Sequence, residues 1–95
     1  HALQKHPNGT ADYVRCRPDQ APLCTRWICR TPDQDGLGIA FPSTSGVEGY
    51  TAEKRKGRIK TVQSGDTWHV EIKLGLLTAS ETEQTIEMIA ALKEL

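Results

Sequence analysis

Apolar and polar side chains alternate most regularly from Trp68 to Leu76, with Trp68, Val70, Ile72, Leu74 and Leu76 on one side and His69, Glu71 and Lys73 on the other. A period of two is that of a strand with one face in a core and the other in water. Upstream, Leu37, Ile39 and Phe41 alternate with Gly38 and Ala40 and are closed by Pro42. This predicts another strand, whose small second face leaves room for a close neighbour. Leu23 to Thr31 reads as a strand with Leu23, Thr25, Trp27 and Cys29 towards the core, and the composition of Thr31 to Gly36 marks the turn between these two segments. Ala11 to Cys16 is a shorter strand, followed by a loop from Arg17 to Pro22 that holds two prolines. Arg58 to Gln63 is a fourth strand, counting from Ala11 to Cys16 as the first, bulged or at an edge because Ile59 and Val62 fall on opposite faces. Ser64-Gly65-Asp66 would turn it into the Trp68 strand as a hairpin.

The period changes after Leu77. Ser80 followed by Glu83 has the spacing of a capping box, and a helix is expected from about Glu81 to Glu94. Its apolar arc holds Thr85, Ile86, Met88, Ile89, Leu92 and Leu95, opposite Glu83, Glu87 and Glu94. The remaining segments read as irregular: residues 43–57 as a loop, and residues 1–10, with a Pro-Asn-Gly turn signal and little apolar content, as a mobile arm dispensable to the core. The expected fold is mainly β (α+β), an antiparallel sheet or half-sandwich of about five strands with one C-terminal α-helix. A single domain over residues 11–95 follows the arm.

Length and charge restrict the function classes. Ninety-five residues make one domain, with a modest buried fraction that leaves room for stabilisation by self-association. Twelve basic and twelve acidic side chains cancel, so the whole chain carries no field for nucleic acid or an anionic membrane. The charge is uneven, however: residues 1–30 carry five basic and two acidic groups, and residues 61–95 two and six. No apolar run is long enough for a membrane span and none reads as a signal peptide, so the expected compartment is cytoplasmic. Three cysteines, Cys16, Cys24 and Cys29, fit reduced thiols better than a disulfide framework.

Few residue groupings point to chemistry. The three cysteines with Asp33 have a spacing reminiscent of a zinc site, but the expected histidine is missing and strands are poor places for tetrahedral ligands, so no metal and no cofactor is expected. His69 and Glu71 would be neighbours on one strand face, the weak candidates for acid-base work, although a solvated polar face has the same pattern. Lys54, Arg55, Lys56, Arg58 and Lys60 form a basic cluster without interleaved aromatic side chains, which is the composition of a solvated loop and edge rather than of a base-stacking surface. Thr61 to Trp68 resembles the opening of a LysM module, but the alternation that follows excludes the helix such a module needs next.

A broader resemblance covers a little over half of the chain. Pro22-Leu23-Cys24-Thr25-Arg26-Trp27, Gly38-Ile39-Ala40-Phe41-Pro42-Ser43-Thr44, Gly57-Arg58-Ile59, Ser64-Gly65-Asp66 and Gly75-Leu76-Leu77 together resemble the last strands of the galactose mutarotase-like (aldose 1-epimerase) β-sandwich family. The resemblance implies part of a sandwich related to enzymes that open and close hexose rings, with a sugar-like ligand near Phe41, Trp27 and Arg26. It also implies the loss of that activity, because Phe41 stands where the family has its catalytic glutamate and the family's catalytic histidines come from strands this chain lacks. The expected function is therefore a non-catalytic binding or assembly module that forms a homo-oligomer. The competing expectation is a carbohydrate-active enzyme or accessory subunit using His69 and Glu71.

Overall fold

The computed structural model describes residues 1–94 and contains strands β1 (Ala2–Lys5), β2 (Ala11–Cys16), β3 (Leu23–Arg30), β4 (Asp35–Ser43) and β5 (Ile72–Leu77), with helices α1 (Tyr50–Arg55) and α2 (Ala79–Lys93). The strands are antiparallel and form two sheets, one ordered β1-β2-β5 and the other the β3-β4 pair, so the fold is mainly β with a C-terminal helix. The chain divides into two compact units, His1–Arg15 with Lys73–Leu95 and Cys16–Ile72.

In the first unit the expected arm is instead a strand. Ala2 to Lys5 pairs with Ala11 to Val14, from Ala2 opposite Val14 to Lys5 opposite Ala11. The Pro7-Asn8-Gly9 signal is the tip of that hairpin. His6 N–H donates to the Thr10 carbonyl at 2.8 Å, and Asn8 Oδ1 accepts from the Thr10 amide at 3.1 Å. Gly9 has a φ of +92°, and a Cβ there would sit 3.2 Å from Ala79 Cβ, so both backbone conformation and proximity to α2 require glycine. The low apolar content concealed the strand because its one buried contribution is the small Ala2.

Helix α2 starts two residues earlier than its expected box. Thr78, in an extended conformation, is the N-cap, and its Oγ1 accepts from Glu81 N–H at 3.2 Å. Thr82 is fully buried and its hydroxyl donates back to the Thr78 carbonyl at 2.8 Å. The least exposed positions are Thr82, Thr85, Ile86 and Ile89, a narrower stripe than expected, since Met88 and Leu92 are exposed. Leu95, assigned to the same arc, lies outside the described residues. Strand β5 is shorter than the alternation predicted, and Ile72, Leu74 and Leu76 are all exposed, the last two at 76% and 78%. The pattern of a half-buried strand is present without the cover that would bury it.

In the second unit β3 and β4 form a hairpin closed by Thr31 to Gln34, with Thr31 N–H donating to the Gln34 carbonyl at 3.0 Å. Residues 43–57, expected as a loop, contain α1. Its C-terminus is a complete Schellman arrangement: Arg58 N–H donates to the Glu53 carbonyl at 2.9 Å and Gly57 N–H to the Lys54 carbonyl at 3.1 Å, with Gly57 at φ +73°. The expected strand at Arg58 to Gln63 does not form, nor does the hairpin with Trp68. The Ser64-Gly65 turn is present, Asp66 N–H donating to the Gln63 carbonyl at 3.0 Å, but residues 60–71 are exposed and belong to neither sheet until Ile72. Without a partner ladder a strand-like pattern leaves its backbone to water.

The second unit is held at α1 by a buried carboxylate. Glu53 is 2% exposed, and its oxygens accept from Gly46 N–H at 2.7 Å and Glu48 N–H at 3.4 Å, with Arg58 Nη1 3.6 Å away. Gly46 leaves room for this approach, since a Cβ there would lie 2.8 Å from Glu53 Oε1. Lys56 pairs with Glu48 on the outside.

Two outcomes follow from these anchors. Deleting residues 1–10 should lower the thermal midpoint by at least ~4 °C in differential scanning calorimetry, the effect of about 1 kcal/mol in a chain of this size; a dispensable arm would leave it unchanged. Glu53→Ala, which strands two amides and the Arg58 guanidinium, should cost about 1–3 kcal/mol in urea unfolding, whereas exposed Glu87→Ala should change it by less than about 0.5 kcal/mol.

Candidate functional site

The residues expected to bind a ligand lie on the β3-β4 sheet, with Arg26 set apart from the two aromatic side chains. Thr25 faces Phe41 and Trp27 faces Gly38 across the ladder, so Trp27 and Phe41 share a face. Glycines make that face possible: a Cβ at Gly36 would lie 3.2 Å from the Trp27 ring, and one at Gly38 would overlap the Phe41 ring. Arg26 falls at the register shift between Thr25 and Trp27 and has no partner in register. Trp27 and Phe41 remain 54% and 52% exposed, and the opposite face presents Ile28 paired with Leu37, both exposed as well. The two aromatic rings therefore form an open apolar face, not the wall of a pocket.

The His69 and Glu71 pair is also not assembled. Both residues precede β5, so the strand geometry that would make them neighbours is missing. Both are exposed, and neither side chain has a hydrogen-bond partner among the described residues; Glu71 takes part only through its backbone, its N–H donating to Gln20 Oε1 at 2.8 Å. Cys16, Cys24 and Cys29 are free thiols, and among the described residues no three His, Cys, Asp or Glu side chains cluster in a way that could hold a metal ion.

A pocket of about 320 Å³ does occur in the second unit, lined by Asp19, Gln20, Thr44, Lys60, Thr61, Val62 and Trp68. Its residues come from the loop after β2, the first position beyond β4, and the irregular segment after α1. Arg17 fixes Asp19 through two bonds, Nε to Oδ1 and Nη2 to Oδ2, each 3.1 Å. The Arg17 hydrogen bond holds the Asp19 carboxyl below its ordinary range, and the same bond together with the charge of Asp19 raises Arg17. Sequence reasoning missed this pocket because its lining is contiguous only after folding. The Arg17-Pro18-Asp19 spacing was its one local signal, since a turn brings the i and i+2 side chains together.

No known protein family matches the chain, and neither a curated protein sequence nor a solved structure matches it significantly. Among the described residues no helix is long and apolar enough to cross a membrane.

An NMR titration should find the Asp19 carboxyl ionised to lower pH than an ordinary aspartate, and Arg17→Ala should return its midpoint to the usual range. An unchanged midpoint in the variant would remove Arg17 as the cause.

Proposed function

We propose that this chain is a non-catalytic assembly module whose β3-β4 sheet is buried by self-association, related to the closing strands of a mutarotase-like sandwich. The observation that carries this reading is a two-stranded sheet with large exposed apolar side chains on both faces, Trp27 and Phe41 on one and Ile28 and Leu37 on the other, each between 41% and 62% exposed. Large apolar side chains left open on both faces are characteristic of a surface that is covered on association. Burying the exposed half of these four side chains offers roughly 3–6 kcal/mol, a large share of the stability of a small domain. The described interior cannot supply an equivalent, since its apolar members are Ala2, Ala11, Val14 and Ala21.

The mutarotase-like relation rests on the sequence resemblance around Trp27, Phe41-Pro42 and the Ser64-Gly65-Asp66 turn. With phenylalanine at the position of the family's glutamate, no proton-transfer chemistry follows from it. The enzyme reading gains no support from the pocket, whose wall includes Trp68 but neither His69 nor Glu71.

Size-exclusion chromatography with light scattering should give a dimer or larger species at micromolar concentration, and Trp27→Glu or Ile28→Glu should weaken association about tenfold or more, the equivalent of roughly 1.4 kcal/mol. A monomeric parent chain would overturn the proposal.

A further inference from the structure

We propose that the pocket between Asp19 and Trp68 binds a small organic carboxylate with a flat apolar body. This goes beyond the assembly reading and does not depend on it, because neither Trp27, Ile28, Leu37 nor Phe41 lines the pocket. The ligand class depends on which hydrogen-bonding groups remain available once the internal bonds are formed.

Two acceptors are already engaged. Each Asp19 carboxylate oxygen accepts one bond from Arg17, and Gln20 Oε1 accepts one from the Glu71 amide, so these acceptors are partly occupied and the Asp19 charge is paired with Arg17. Gln20 also has its NH₂ group, a donor. Lys60 has no acidic partner among the described residues and contributes an ammonium with three donors. Thr44 and Thr61 add hydroxyls that can donate, and the Trp68 indole N–H donates only. The nearby negative charges, Asp19 and Glu71, both act on Arg17, while Lys60 is left without a counter-ion.

Donors in excess over acceptors, beside one uncompensated cation, favour an anion. A cation would meet Lys60 unfavourably, and a wholly apolar ligand would cover these polar groups without replacing their hydrogen bonds with water. Val62 and Trp68 supply an apolar wall suited to a flat body. The volume of about 320 Å³ lies at the small end of ligand pockets and suits a single ring with its carboxylate. Arg17 and the Glu71 amide each hold one bond to a lining residue, Asp19 and Gln20, before a ligand arrives.

Benzoate and its uncharged analogue benzamide test the assignment by ligand-observed NMR on the full chain. Benzoate should bind with a millimolar dissociation constant and benzamide about tenfold or more weakly. Lys60→Gln should abolish the preference for benzoate over benzamide, and Trp68→Ala should weaken both ligands; both side chains are exposed, and circular dichroism should show each variant folded. Glu87→Ala, exposed on α2 and outside the pocket, should leave benzoate binding unchanged. The proposal is overturned by no benzoate binding at tens of millimolar, by equal binding of benzamide, or by an undiminished preference for benzoate in Lys60→Gln. Inorganic phosphate displacing benzoate at equal concentration would overturn the requirement for a flat apolar body.

Discussion

Most of the large apolar side chains of this protein lie on surfaces that its own described elements leave open, and the fully closed positions hold mainly small or polar groups. Ala2, Ala11, Val14 and Ala21 are the buried hydrophobic residues, while Trp27, Phe41, Leu74 and Leu76 face outward. Hydrophobic burial scales with area removed from water, so four small side chains supply little of it. Local order must then lean on hydrogen bonds and turns, and the exposed apolar faces become the largest unspent source of stabilisation available on contact with a partner.

The polar anchors show how this works within each unit. Glu53 ties the segment around Gly46 to α1 and Arg58, and it does so as a buried carboxylate whose oxygens are met by amides and a guanidinium. Such a group is costly to bury alone and tolerable only when its partners are complete. In the first unit Thr78 and Thr82 close the start of α2, and the Asn8-Gly9 turn closes the β1-β2 hairpin. These are local devices, each spanning a few residues. They define elements without providing a large shared interior.

The same division separates the two surfaces for which a role is proposed. The β3-β4 sheet presents exposed large apolar side chains, whereas the Asp19 to Trp68 pocket is small and lined largely by polar groups, with Arg17 bonded to Asp19. Apolar surface and pocket chemistry call for different occupants. Both lie within residues 16–72, so one folded unit carries the sheet and the pocket without either side chain set being shared.

Local pattern was enough for β2, β3, β4 and α2, because alternation, proline and glycine positions and a 3.6-residue stripe act over neighbouring residues. It was enough as well for the fold class. It did not reveal β1, whose pairing with β2 is a contact across a turn, or α1, whose signal lay in Gly57 and the Schellman bonds behind it. It overextended β5 and placed a hairpin at Arg58 to Trp68, since alternation records a capacity for burial and the partner strand decides whether a ladder exists. Phe41, Trp27 and Arg26 were legible as a strand neighbourhood, but the register shift that separates Arg26 from the aromatic face appears only when two strands are aligned. The pocket was illegible for the same reason: Asp19, Thr44, Lys60 and Trp68 are far apart in sequence, and only the folded backbone brings them to one cavity.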